Sequence, residues 1–188
     1  MSQKAWRFAR LERCPLHPEG GCGLARHTPY ERVSPAGCLI AREYCRKGHI
    51  TFSFLPDFLC SRLTGTLDEV EVIVAAAEAA PSREAAGEAA RSGIQLIGAV
   101  RWVSRRVRLV RAGLAAVIGL LPMLLVGCRP TVSSVRSALG ADSALVLLRA
   151  EAEPFLAFLP PPLGFGPRPL RRQVSSTRVQ QETGPDPP

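Results

Sequence analysis

Six cysteines and three histidines are the side chains best suited to chemistry in this 188-residue chain, and they are unevenly spread. Cys14, Cys22, Cys38, Cys45, Cys60, His17, His27 and His49 all precede residue 61, and only Cys128 lies later. The opening stretch, MSQKAWRFARLERCP, has neither an apolar core nor a small-residue cleavage site, so a cytoplasmic location is expected. In a reducing compartment, clustered Cys and His read as metal ligands before they read as disulfides.

The spacing sharpens that reading. Cys14-Pro15-Leu16-His17 places two ligand types three residues apart, and Cys45-Arg46-Lys47-Gly48-His49 places two more four apart. A short knuckle of this kind turns the backbone so that two side chains aim at one ion, and two knuckles complete a tetrahedron. Cys14, His17, Cys45 and His49 are therefore the expected ligands of a structural zinc. Cys22, in Gly20-Gly21-Cys22-Gly23, is the alternative ligand, and His27 is a weaker rival. Cys38 and Cys60 read as small buried apolar residues.

Three strands are expected to carry the knuckles. Residues 26–33 and 38–44 flank the turn-rich Ser34-Pro35-Ala36-Gly37, and Ile50-Thr51-Phe52-Ser53-Phe54 alternates apolar with polar. Such a small antiparallel sheet has little core, so the metal must supply much of its folding energy.

The order of these residues resembles a known bacterial family. Cys14-Pro15 with His17, then Arg42, Tyr44-Cys45, Thr51-Phe52-Ser53 and Leu55-Pro56-Asp57-Phe58, is similar to the N-terminal zinc ribbon of proteins encoded by insertion sequences. Those proteins are commonly described as transposases or as domains of unknown function. The resemblance is close over residues 12–70 and looser over 71–122. It departs where His17 and His49 stand in place of the commoner Cys. It implies a zinc ribbon leading into a helix-turn-helix-like region that contacts DNA.

The remaining elements fit an α+β architecture. Thr66 precedes Asp68 and Glu69 as an N-cap signature for a helix that ends before Pro81. Its buried stripe is read as Leu67, Val70, Ile73 or Val74, and Ala77. A short helix over residues 83–90 and a turn at Arg91-Ser92-Gly93 lead into a long helix from about Ile94 to Leu121. The long helix is expected to bury Ile97, Val100, Val103 or Ser104, Val107, Val110 and Leu114. Arg101, Arg105 and Arg108 form a basic stripe on another face, flanked by Trp102, Arg106 and Arg111. One further helix is expected over residues 141–152. The apolar run 154–159 follows, and then a Pro-rich tail over 160–188 expected to be disordered. The expected units are 12–60 (zinc-ribbon-like), 65–152 (helical) and 160–188 (tail).

The net charge is +8 with a pI of about 9.8, and the excess is local. Residues 101–136 hold seven Arg and no acidic residue. That is the electrostatic footprint of nucleic-acid binding, with Arg101, Arg105, Arg106 and Arg108 as the expected DNA contacts. A solvated helix face is the plainer reading of the same stripe.

No catalytic set is evident, and no enzyme activity or small-molecule substrate is expected. Asp57, Asp68, Glu69 and Glu71 do not sit on a sheet that could hold two metal ions, and the Gly20-Gly21 turn lacks the Lys-Ser/Thr ending of a nucleotide loop. The leading expectation is thus a DNA-binding module without a catalytic domain. One alternative is a zinc-ribbon protein-interaction module. Another is a small membrane protein held by the uncharged run Ala112–Cys128, which at 17 residues is at the lower limit for a span.

Overall fold

The computed structural model describes residues 8–166. Its first part is a three-stranded antiparallel sheet in the order β1 (Ala25–Glu31), β2 (Leu39–Cys45), β3 (Ile50–Ser53). The central strand pairs on both sides: Arg26 faces Glu43 on β1, and Cys45 faces Ile50 on β3. Its side chains Ile40, Ala41, Glu43 and Cys45 are buried, whereas the flanking strands are largely exposed. The register of β1 slips at a bulge between His27 and Tyr30.

Five helices follow among the described residues: α1 (Leu67–Ala79), α2 (Arg83–Ala90), α3 (Leu96–Leu120), α4 (Val132–Leu139) and α5 (Ala144–Glu151). The class is α+β, with the sheet first and the helices after it.

Local chemistry explains the boundaries. The Thr66 hydroxyl accepts from the Glu69 amide at 3.1 Å and the Glu69 carboxylate accepts from the Thr66 amide at 2.8 Å, a reciprocal cap that fixes the start of α1. Ser82 caps α2 through the Ala85 amide at 3.1 Å. Thr131 caps α4 through Ser134, and Gly140, in the left-handed region at φ 61°, ends it. This helix lies just ahead of the single helix expected over 141–152.

Helix α1 is the hub and packs on α2, α3, α4 and α5. Leu67, Val70, Val74 and Ala77 face the core, so Val74 rather than Ile73 continues the stripe. Glu71 is fully buried. Its carboxylate accepts from Arg136 Nε at 2.6 Å and from the Ala144 and Leu145 amides at 3.0 and 2.7 Å. One carboxylate therefore neutralises a guanidinium of α4 and caps the first turn of α5. Glu78, further along α1, accepts from the Val132 amide at 3.0 Å at the start of α4.

Helix α3 buries Ala99, Val103, Val107, Val110, Leu114 and Val117. Ile97, expected in that stripe, is exposed. Two successive three-residue steps, 97 to 100 to 103, carry a position about 120° around a helix of 3.6 residues per turn, so the line drawn in sequence leaves the core. Helix α2 crosses α3 closely at Gly87, where a Cβ would stand 3.0 Å from the Val100 amide nitrogen.

The tail expected over 160–188 does not begin at 160. Leu163 is fully buried in the helical core, against Gly113 of α3. The Ser61 amide donates to Pro162 O at 3.1 Å and the Ser61 hydroxyl to Gly164 O. Proline density forbids regular helix and sheet but not packing, because a coil with satisfied carbonyls can still bury leucine. Residues 167–188 of that expected tail lie outside the described residues.

The uncharged run 112–128 is not one helix: α3 ends at Leu120, and turns follow. Among the described residues no helix is long and apolar enough to cross a membrane.

Candidate metal centre and basic helix face

The link between sheet and helices is held by three arginines from three places. Arg32, just after β1, donates to Cys60 O at 3.3 Å and Leu63 O at 2.6 Å. Arg149 of α5 donates to Asp57 O at 3.0 Å and to Leu59 O. Arg106 of α3 donates to the Thr64 hydroxyl at 3.0 Å. These charge-assisted bonds satisfy carbonyls and a hydroxyl of a segment whose own pairing is the isolated bridge Leu59–Thr66.

At the other end of the sheet, Cys14, His17, Cys22 and Cys45 converge, with one donor atom from each lying within 4.8 Å of all the others. No second group of three or more potential ligands gathers in this way among the described residues. His17 Nδ1 lies 3.6 Å from Cys14 Sγ and 3.4 Å from Cys45 Sγ. A tetrahedral ion with metal–sulfur bonds of about 2.3 Å and metal–nitrogen bonds of about 2.0 Å separates its S and N ligands by about 3.5 Å. The donor set therefore fits a four-coordinate metal in both type and spacing. Cys14, Cys22 and Cys45 are buried, and Leu24 and Phe52 pack against them.

The loops explain how the four meet. His17 N bonds to Cys14 O at 3.1 Å, closing the first turn. Gly20, Gly21 and Gly23 all have positive φ (89°, 71° and 67°), which lets the chain double back and present Cys22. The Lys47 amide then donates to Cys22 O at 3.1 Å and the Gly48 amide to Cys45 Sγ at 3.2 Å, so the second loop is pinned to the first.

Three of the four expected ligands are thus together, and Cys22 stands where His49 was expected. His49 sits instead beside Tyr44, whose hydroxyl is 3.0 Å from His49 Nδ1. Tyr44 and Cys45 are neighbours on β2 and point to opposite faces of the sheet. A histidine packed on Tyr44 is therefore on the wrong side of the sheet for the cluster. The glycines around Cys22 were the available signal, since they mark a loop able to reverse sharply. His27 is also elsewhere, with Nδ1 against the Arg42 guanidinium. Cys38 is buried with Ile40 and Leu59, and Cys60 is buried in the helical core.

The electrostatics of the cluster suit an incoming cation. Burial pushes the Cys14 thiol up, but hydrogen bonding from His17, the Leu16 backbone and the other two cysteines outweighs it and brings the thiol down to about 7. Cys22 moves the other way, raised by burial and by the neighbouring sulfurs. Three thiols cannot all ionise side by side without a positive charge among them, which a divalent ion provides.

The four arginines expected on DNA divide. Arg101, Arg105 and Arg108 are exposed on α3 and share a face. Arg106 is buried, and its guanidinium stacks 3.4 Å from the centroid of the Trp102 ring. Arg91 covers Trp102 at 5.0 Å. Arg106 lies one position after Arg105, about 100° around the helix, and that turn carries it from solvent into the packed face. Burial draws its guanidinium down to about 10. It ties α3 to the link and does not share the exposed face of Arg101, Arg105 and Arg108. Arg111, also flanking the stripe, lies 3.6 Å from the Glu78 carboxylate.

Compared with protein-family models, with curated proteins and with solved structures, the chain matches none.

Proposed function

We propose that this chain is a DNA-binding module built on a structural zinc ribbon, and that it acts without a catalytic domain of its own. The observation that carries the reading is the solvent-facing stripe Arg101, Arg105 and Arg108 on a 25-residue helix, within a stretch free of acidic residues. Zinc suits the Cys14, His17, Cys22 and Cys45 donors. Three thiolates and one imidazole leave no open position, as in structural rather than catalytic sites. In this reading the metal holds the sheet, the three link arginines hold the sheet to the helices, and α3 presents the stripe. Arg is the side chain that best matches phosphate oxygens and guanine edges. The insertion-sequence connection rests on the resemblance over residues 12–70.

The test has two parts. Native mass spectrometry should find one zinc, lost with chelator. Duplex binding should then weaken with salt, log K falling by about 0.9 per phosphate contact for each unit of log salt. Replacing Arg101 and Arg108 with Ala should flatten that slope by about two contacts. A slope and affinity unchanged by the double variant would sink the assignment.

A protein-interaction role is the second reading. It is favoured by Met123, Leu124 and Val126, which are exposed together after α3. Binding through that patch would resist salt and ignore the Arg stripe.

A further inference from the structure

A cleft of about 460 Å³ opens where the sheet meets α3. Its walls include Tyr30 and Arg32 at the end of β1, Arg62 in the link, and Trp102, Arg105 and Arg106 of α3. Four arginines therefore line a cavity whose one acidic residue, Glu31, is engaged by the Gly37 amide at 2.7 Å. None of the four is ion-paired with a carboxylate among the described residues.

Two details indicate that the cluster faces a ligand. Arg106 is 4% exposed, yet its Nε is a buried donor with no partner. A buried donor left unpaired costs free energy unless something supplies an acceptor. Arg62 is held at φ 57°, a backbone region that favours glycine, while its exposed side chain lines the cleft. Its main-chain oxygen accepts from Arg105 at 3.3 Å, which fixes both residues on the same rim.

We propose that this cleft binds one nucleotide unit, with its phosphoryl group between Arg62, Arg105 and Arg106 Nε and its base along Tyr30. The charge favours a phosphoryl oxyanion, which accepts several guanidinium bonds at once. The volume exceeds what a bare anion fills and lies within the range of small-molecule sites, about 300–1,000 Å³. Val33, Leu63 and Tyr30 give the remainder an apolar wall. Trp102 does not stack on the base, because Arg106 and Arg91 both lie over its ring, whereas Tyr30 has the single Arg42 guanidinium at 5.6 Å. The inference rests on the DNA-binding reading for the source of the unit, an unpaired nucleotide at a strand end or in a single strand. A free nucleotide has the same chemistry.

The experiment uses the full zinc-loaded chain and three probes: AMP by calorimetry, and a labelled oligothymidylate and a labelled duplex by fluorescence anisotropy. Arg62→Gly removes the side chain while suiting the backbone conformation, so the fold is kept. The expected result is that AMP competes with the single strand, and that Arg62→Gly weakens both by about tenfold, the scale of one charge-assisted bond. Duplex binding should stay within about twofold, whereas Arg101→Ala with Arg108→Ala should do the reverse. Arg105→Gln is the second cleft variant and should weaken AMP and the single strand as Arg62→Gly does; because Arg105 also belongs to the exposed stripe of α3, its duplex binding should fall as well. AMP binding that depends on Arg62 without any strand binding would uphold the cleft, make free nucleotide its source and overturn the DNA reading. Nucleotide and strand affinities indifferent to both Arg62→Gly and Arg105→Gln, or absent in the parent protein, would overturn the cleft whatever the duplex does.

Discussion

The two halves of this protein are held together by different physics. Around the metal cluster the buried apolar set is Cys14, Cys22 and Cys45 with Leu24 and Phe52 against them. The helical region instead shares one continuous core that runs from Cys60 through α1, α3, α4 and α5 to Leu163. The first half has little apolar surface to offset its chain entropy, and in the proposed reading metal–ligand bonds supply the difference. The second half is stabilised by burial. In the proposed reading the three link arginines join a metal-dependent unit to one held by its apolar core.

Zinc removal should break that comparison most visibly. Structural zinc in small domains is worth on the order of 10 kcal/mol. Chelation should therefore raise amide exchange across β2 and β3 while α1 and α3 stay protected, and equal loss in both halves would mean that they fold as one unit.

Next in size is the polar centre of the helical half. Glu71→Ala leaves Arg136 and the amides of Ala144 and Leu145 without their acceptor. It should cost about 3–5 kcal/mol, read from the denaturation midpoint, with zinc affinity unchanged. Leu163→Ala should cost about 2–5 kcal/mol by opening a cavity beside Gly113, and a neutral result would place residues 160–166 outside the core.

Alkali should weaken the helical half. Burial pushes the Cys60 thiol from 9.0 to about 12. An acid whose folded value is raised favours the folded state at low pH, so this contribution declines as pH climbs from 9 towards 12. Cys60→Ala should lessen that decline in an alkaline denaturation series.

The smallest effect sharpens the ligand assignment. His49→Ala should change zinc affinity by less than about twofold, whereas His17→Ala should lower it by more than about tenfold, since only one of the two is a ligand. Competition with a chromophoric chelator measures both, and a large effect at His49 would reverse the assignment.

Most of the architecture was legible in sequence because its signals are local. Thr66 with Glu69 caps α1, Ser82 caps α2, and the strand alternation is a property of a few consecutive residues. The site was legible only in part because ligand choice is settled in three dimensions. His49 looks right by spacing along the chain, but the two-residue period of β2 separates it from Cys45. Arg106 looks like its neighbour Arg105, but one step around α3 buries it. The role of Leu163 was hidden for a related reason. A polyproline segment advertises coil, and nothing local reveals that Ser61, far earlier in the chain, will bind it.

That last contact has a consequence for synthesis. Ser61 and Gly164 are 103 positions apart and hydrogen-bonded. On the ribosome, the Cys14, His17, Cys22 and Cys45 cluster can assemble once Cys45 and β3 have emerged. The helical core must wait until Leu163 leaves the exit tunnel, holding α1 and α3 incomplete while the ribbon is already formed. Translation speed between Ile50 and Leu163 therefore sets how long the apolar face of α3 stays uncovered, and with it the chain's exposure to chaperones and to its own neighbours.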